Sequence, residues 1–152
     1  MRILVCYDGS QSARHALTVA RAAVGDAHAT VLNVWEPPPP FLADSFSTTA
    51  EAGPSAGELD RVALRHAREI AQEGSDLARS LGLDTDIRVG ERDGHETWRT
   101  ILAVADEVDA DLIVVGTRGT TAVQSSLLGS VSHGVVQHSG RPVLVVPTPA
   151  AA

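Results

Sequence analysis

The chain has 152 residues and a mass of 15.9 kDa, with 43% hydrophobic and 20% charged residues, a profile that reads as one globular domain, 1–152, able to bury a proper core. Its net charge of −7 and pI near 5.2 exclude a basic field for nucleic acid or an anionic membrane, so an anionic ligand has to be held by local donors. All 12 basic residues are arginines, which excludes a Walker-type Gly-Lys-Ser/Thr loop and Schiff-base chemistry on lysine.

No apolar run reaches membrane-spanning length. The chain enters a strand at once and shows no signal peptide. One cysteine leaves no internal disulfide and fits a reducing cytoplasm. Ile3 to Cys6 predicts a buried strand that ends at Tyr7-Asp8-Gly9-Ser10. Ala13, Ala16, Leu17, Ala20 and Ala23 then share one face of a helix, with Ser10 placed to cap it and Val24-Gly25-Asp26 to end it. Ala29 to Val34 predicts the second strand. Pro37 to Pro40 and the Ser/Thr/Ala/Gly stretch to Gly57 predict a long loop without regular structure, either a lid at a strand end or a disordered segment.

Leu59, Ala63, Ala67, Ile70, Gly74, Leu77 and Leu81 recur at helical spacing and predict a long amphipathic helix ended by Gly82. Asp84 to Val89 predicts a shorter strand, polar enough for a sheet edge, followed by a charged loop from Gly90 to Gly94. Trp98, Ile101, Leu102 and Ala105 mark a third helix running to about Val108. Leu112 to Val115 is a β-branched run stopped by Gly116 and reads as a strand buried on both faces. A fourth helix over Ser130 to His138 and a fifth strand over Val143 to Val146 close the domain, with 148–152 as a tail. Strands alternating with helices call for a parallel sheet with helices on both faces. No internal repeat is present.

The chemistry concentrates after the fourth strand. Gly116 and Gly119 bracket a tight loop, nine residues follow, and then come Gly129 and Ser130 at a helix start. Glycines let a ligand approach the main chain, and a helix N-terminus adds unpaired N–H groups and the positive end of a dipole, so the array suits a phosphate. The plainer reading is that Gly116 ends a strand and Ser130 caps a helix. Asp8 sits where a carboxylate can accept ribose hydroxyls, or it makes an Asx-turn. Arg118 lies inside the glycine loop and either meets a phosphate or is solvated. Cys6 reads as a small buried apolar residue. The six histidines are dispersed and suggest no metal site, and no Gly-x-Ser-x-Gly elbow is present.

Gly116-x-x-Gly119, nine residues, then Gly129-Ser130 resembles the nucleotide-binding motif of the universal stress protein family. The resemblance extends to Ile3–Ser10 and Arg141–Pro147. It implies an α/β fold: a single open five-stranded parallel sheet in the order 3-2-1-4-5 with helices on both faces, Rossmann-like and of the adenine nucleotide α-hydrolase-like kind. Ligands in such sheets sit at the strand carboxyl ends where the winding reverses, here between the first and fourth strands. The resemblance further implies ATP with Mg2+ as cofactor. Asp8 would hold the ribose, and the main chain of Val34 would read the adenine edge. Tyr7 departs from the family in being bulkier than the residue often found there and would narrow the pocket. Val115 and Gly116 would contact ribose and base, and Gly119, Gly129, Ser130, Val131 and Ser132 would hold the phosphates, with Arg118 the nearest cation. Ser132 alternatively bonds its own backbone. Homodimers pairing through Val143–Val146 are also implied.

The expected function is therefore that of an ATP-binding regulatory protein of the cytoplasm, with at most slow hydrolysis, because neither a P-loop lysine nor a magnesium carboxylate is evident. The alternatives are a homodimeric interaction module with a vestigial pocket and a slow ATPase. The chain departs from the family pattern in carrying His95-Glu96-Thr97 where a Gly-x-Pro lead-in is common, and in a connector, Thr120–Leu128, that is poor in charge.

Overall fold

The computed structural model describes residues 1–45, 53–117 and 128–149. Five strands, β1 (Arg2–Cys6), β2 (His28–Trp35), β3 (Asp84–Glu91), β4 (Leu112–Gly116) and β5 (Val143–Val146), form one sheet in the order β3-β2-β1-β4-β5. Every neighbouring pair is parallel. Period-two alternation divides the β-branched runs between two cores. Ile3, Val5, Val31 and Val114 face one way with Ala13, Ala16, Leu17 and Ala20 of α1 (Gln11–Val24). Leu4, Leu32, Ile113 and Val115 face the other way with Ile101, Val104 and Ala105 of α4 (Thr97–Glu107) and Val135 of α5 (Ser130–His138). α3 (Ala56–Ser80) shares the first face with α1 and packs on β2 and β3. The strand order and the two helical layers are those expected from the sequence. Among the described residues no helix is long and apolar enough to cross a membrane.

Two expectations are corrected. The 37–57 stretch, read as wholly irregular, carries a one-turn helix, α2 (Phe41–Ser45), and α3 already begins at Ala56. The proline run fixes an extended approach, after which the Pro39 carbonyl accepts the Leu42 N–H at 3.0 Å and starts the turn. Ser55 and Glu58 form a capping box that starts α3 before Gly57. The third strand is not short: β3 has eight residues, as many as β2, and pairs through Val34↔Gly90 and Trp35↔Glu91. It keeps pairing because Gly90 has no side chain to meet Thr100, whose Cγ2 lies 2.7 Å from where a Cβ would stand.

Within α3, buried positions start only at Ala67 and continue through Ala71, Gly74, Ser75 and Ala78. Gly74 is a notch. A Cβ there would lie 2.7 Å from the Tyr7 ring and 2.9 Å from Val31 Cγ1.

At the amino ends of β2 and β3, His28 is set between two carboxylates. Its Nδ1 lies 2.8 Å from Asp84 Oδ2 and its Nε2 3.5 Å from Asp86 Oδ2. Two acceptors facing the two ring nitrogens favour the imidazolium, and the Asp84 hydrogen bond raises the His28 pKa against the opposing effect of burial. Reciprocally, His28 holds Asp84 below the usual carboxylate range. A histidine pKa raised by folding contributes stability below its unfolded value of about 6.5, and that contribution is lost as pH climbs through the raised value. The lowered Asp84 contributes above its unfolded value and loses that contribution as pH falls through the lowered one. Urea unfolding should accordingly show that His28→Asn costs more stability at about pH 5.5 than at about pH 8.5. An equal cost at both would remove the imidazolium from this edge.

Candidate functional site

The parallel register carries the ends of β1 and β4 to one level: Val5 pairs Val114, so Tyr7 and Asp8 emerge beside Gly116 and Thr117. The chain turns away after β1 at Gly9, whose φ of 79° suits glycine. Asp8 Oδ1 accepts the Ser10 N–H at 3.0 Å, and Ser10 Oγ accepts the Ala13 N–H at 3.1 Å, capping α1. Asp8 thus makes the Asx-turn that was the plainer reading, and the turn fixes its carboxylate just past the end of β1.

On the β4 side Thr117 organises the geometry. Its N–H donates to Val146 O at 3.0 Å, its Oγ1 accepts the Thr148 N–H at 3.2 Å, and its carbonyl accepts the Gly129 N–H at 2.7 Å. That last bond docks the N-terminus of α5 onto the end of β4. Gly129 is the N-cap of α5, and a Cβ on it would stand 2.8 Å from Thr117 O. The glycine is therefore required for close approach, not for positive φ, since its φ is −65°. Helix geometry leaves the N–H groups of Ser130, Val131 and Ser132 without intrahelical acceptors. Ser130 is exposed, Val131 half-buried and Ser132 buried. The Ser132 hydroxyl donates back to Gly129 O at 3.0 Å, which is the backbone alternative weighed for it; it braces the cap. Sequence reasoning missed Thr117, and the only signal available was its position directly after the strand-ending glycine.

Val115 and Gly116 close β4, with Val115 2% exposed and Gly116 half-buried. Val34 lies near the end of β2, on the face covered by α4 and α5. Arg118 and Gly119 lie outside the described residues.

Tyr7 is placed otherwise than expected. Its ring does not line the crevice but packs into the Gly74 notch on the α1 and α3 side. There its phenol donates to Glu73 Oε1 at 2.7 Å, and Arg14 closes the group onto the same carboxylate oxygen. Burial, then the Glu73 hydrogen bond, raises the Tyr7 pKa. Hydrogen bonds from Tyr7 and Arg14 hold Glu73 low. Cys6 turns to the opposite face, where burial first and Asp8 second push its thiol up to about 12. The thiol stays protonated at neutral pH and is a poor nucleophile.

The arrangement is an anchored carboxylate and a docked helix N-terminus at the winding reversal of a parallel sheet, which suits a ligand with hydroxyls at one end and anionic charge at the other. Comparison with known proteins assigns the class. The sequence profile of the Universal stress protein family matches residues 1–147, and the chain belongs to that family. The universal stress protein of the QAH/OAS sulfhydrylase 3′ region of Thermus aquaticus is 37% identical over 147 residues, 95% of this chain and 96% of the relative. Among solved structures, the hypothetical protein MJ0577 superposes with a TM-score of 0.77 at 22% identity, over 99% of this chain and 97% of that one, a likeness of fold. A universal stress protein solved in complex with cAMP is 27% identical with a TM-score of 0.67, over 98% of both chains.

Proposed function

We propose that this chain is an ATP-binding regulatory protein of the cytoplasm that takes the nucleotide, with Mg2+, at the carboxyl ends of β1 and β4. The observation that carries the reading is the bond between Gly129 N–H and Thr117 O, which docks the N-terminus of α5 at the end of β4, beside the end of β1 that leads to Asp8. The cAMP bound by the similar universal stress protein supports an adenine nucleotide as the ligand class.

Asp8 accepts ribose hydroxyls. The main chain of Val34 meets the adenine edge, and Val115 and Gly116 form the floor under ribose and base. The N–H groups of Ser130, Val131 and Ser132 donate to phosphate oxygens together with Gly119 and Arg118. The Ser132 hydroxyl, spent on Gly129 O, positions the cap. With a net charge of −7, the phosphates are held by these donors and not by a long-range field. Mg2+ arrives on the phosphates, the common mode for that ion, since it usually keeps several waters and few protein ligands.

No lysine is available for phosphoryl transfer, so hydrolysis is slow and ATP acts by mass action. At a hundredfold over its Kd it stabilises the bound form by about 2.7 kcal/mol. The whole chain serves as one domain, with 148–152 as a tail. Two copies pair through β5, whose Val143, Leu144 and Val145 are only half-buried at the sheet edge; sedimentation equilibrium should return twice the 15.9 kDa chain mass.

Calorimetric titration of MgATP into protein stripped of nucleotide tests the ligand. One saturable site per chain is the expected result. No heat and no binding would leave a dimeric interaction module with a vestigial pocket.

A further inference from the structure

In a parallel pair, alternate residues of a strand turn both N–H and C=O toward the same neighbour. Leu32 turns toward β1, since its carbonyl accepts the Tyr7 N–H at 2.8 Å. Trp35 turns toward β3, since its carbonyl accepts the Arg92 N–H at 2.7 Å. Val34 shares the parity of Leu32, so its N–H and C=O face the β1 side. Continued by one step, the ladder would give the Val34 N–H to the Tyr7 carbonyl. That carbonyl is instead taken by a side chain: Asn33 Nδ2 donates to it at 2.9 Å. The paired register stops at Cys6↔Leu32, and among the described residues no backbone bond joins Val34 to Tyr7. Asn33 is 6% exposed, a setting in which an unpaired carbonyl is costly. The amide therefore does the work of the missing ladder bond.

We propose that Asn33 is a positioning residue: its amide satisfies Tyr7 in place of the Val34 N–H, and so leaves the main-chain edge of Val34 open to the base of a bound nucleotide. The ligand part of this inference rests on the adenine-nucleotide reading above; the backbone part does not. A neighbouring N–H and C=O match the N1 acceptor and N6 amino donor of adenine. Guanine presents an N1–H donor and an O6 acceptor on the same edge, the reverse arrangement, and would leave polar groups unmatched. The same side chain also ties the exit of β1, and with it Asp8, to the end of β2. Asn33 thus sets base preference without touching the base.

Two variants separate the roles. Asn33→Leu keeps the branched shape, at a larger volume, and removes the donor. Asn33→His returns an N–H, at Nδ1, at the same reach from the backbone. Hydrogen exchange of the Val34 amide in nucleotide-free protein should be fast in wild type and in Asn33→His, and slowed in Asn33→Leu, where Val34 closes the ladder onto Tyr7. Competition titrations should show the preference for ATP over GTP falling about tenfold in Asn33→Leu and returning in Asn33→His. A general loss of folding would weaken both nucleotides alike and leave their ratio unchanged. Should the leucine variant not fold, Asn33→Asp repeats the test with the same shape and no donor. A Val34 amide as protected in wild type as in Asn33→Leu, or an unchanged ATP:GTP ratio, overturns the proposal. If wild type binds neither nucleotide, the adenine reading fails, and the exchange of Val34 still decides what Asn33 does.

Discussion

Gly134→Ala is expected to lower the stability of this protein by about 2 kcal/mol, although in an exposed helix the same change would add about 1 kcal/mol. The reason lies across the α4–α5 contact. A Cβ on Gly134 would stand 2.2 Å from Trp98 Cδ1 and 2.5 Å from Cγ. The indole has little freedom to retreat. It stacks on His138 with centroids 4.0 Å apart and planes 8° from parallel. Its Nε1 donates to Glu96 at 2.6 Å, and the Arg99 guanidinium sits 4.6 Å from the ring centroid. Inserting a methyl group therefore pushes α5 away from α4 or breaks the stack, and overpacking of this kind outweighs helix propensity. Trp98 is partly exposed, which allows some relief and keeps the cost in the middle of the usual range. Urea unfolding of Gly134→Ala would measure the loss. A variant as stable as wild type would show that the notch is not closed in solution.

Gly129→Val should weaken ATP binding by about a hundredfold, or roughly 2.8 kcal/mol. The atom in the way of a Cβ is the Thr117 carbonyl, 2.8 Å off, and that carbonyl is fixed at three points. Its residue bonds Val146 and Thr148 on one side and Gly129 on the other. A side chain at 129 must lift the cap, break its 2.7 Å bond to Thr117 and swing the donors of Ser130, Val131 and Ser132 off target. Binding geometry of this sort tolerates about 0.5 Å. Gly140→Val is the matched control, since a Cβ there meets nothing within 4 Å. Calorimetry should find its affinity equal to wild type. If Gly129→Val also bound as wild type, the α5 N-terminus would not be where the phosphates go.

How much of this was legible in the sequence varied with the range of the interaction. Continuous apolar runs placed β1, β4 and β5, because a buried parallel strand writes itself in consecutive β-branched residues. Ser10 was legible as a cap because capping acts over three residues. The long reach of β3 was not, since it depends on Gly90 meeting Thr100 on another element. Tyr7 was misread for the same reason. Nothing near it announces that Gly74, on a helix far along the chain, opens a slot for its ring. Asn33 passed unnoticed beside Val34, because an asparagine inside a strand shows its partner only when the neighbouring strand ends. At the candidate site, the glycine spacing pointed to a phosphate and to a helix starting at Ser130, but not to the docking of α5 onto β4, and the residue that performs it, Thr117, carries no signature of its own. Arg118 and Gly119, the two most specific expectations within the loop, lie outside the described residues.

The uneven burial of α3 has a consequence for how the molecule comes apart. The helix runs for 25 residues, yet no residue of Ala56–His66 is buried. Those residues amount to roughly 16 Å of helix standing beyond the core. Only from Ala67 onward does α3 share the fate of the sheet. The cooperative unit therefore ends part-way along a continuous helix: the outer turns can melt and reform at little cost while the inner ones hold. The protein thus has, in the first turns of α3, an arm that can rearrange without drawing on the stability of the fold that carries it.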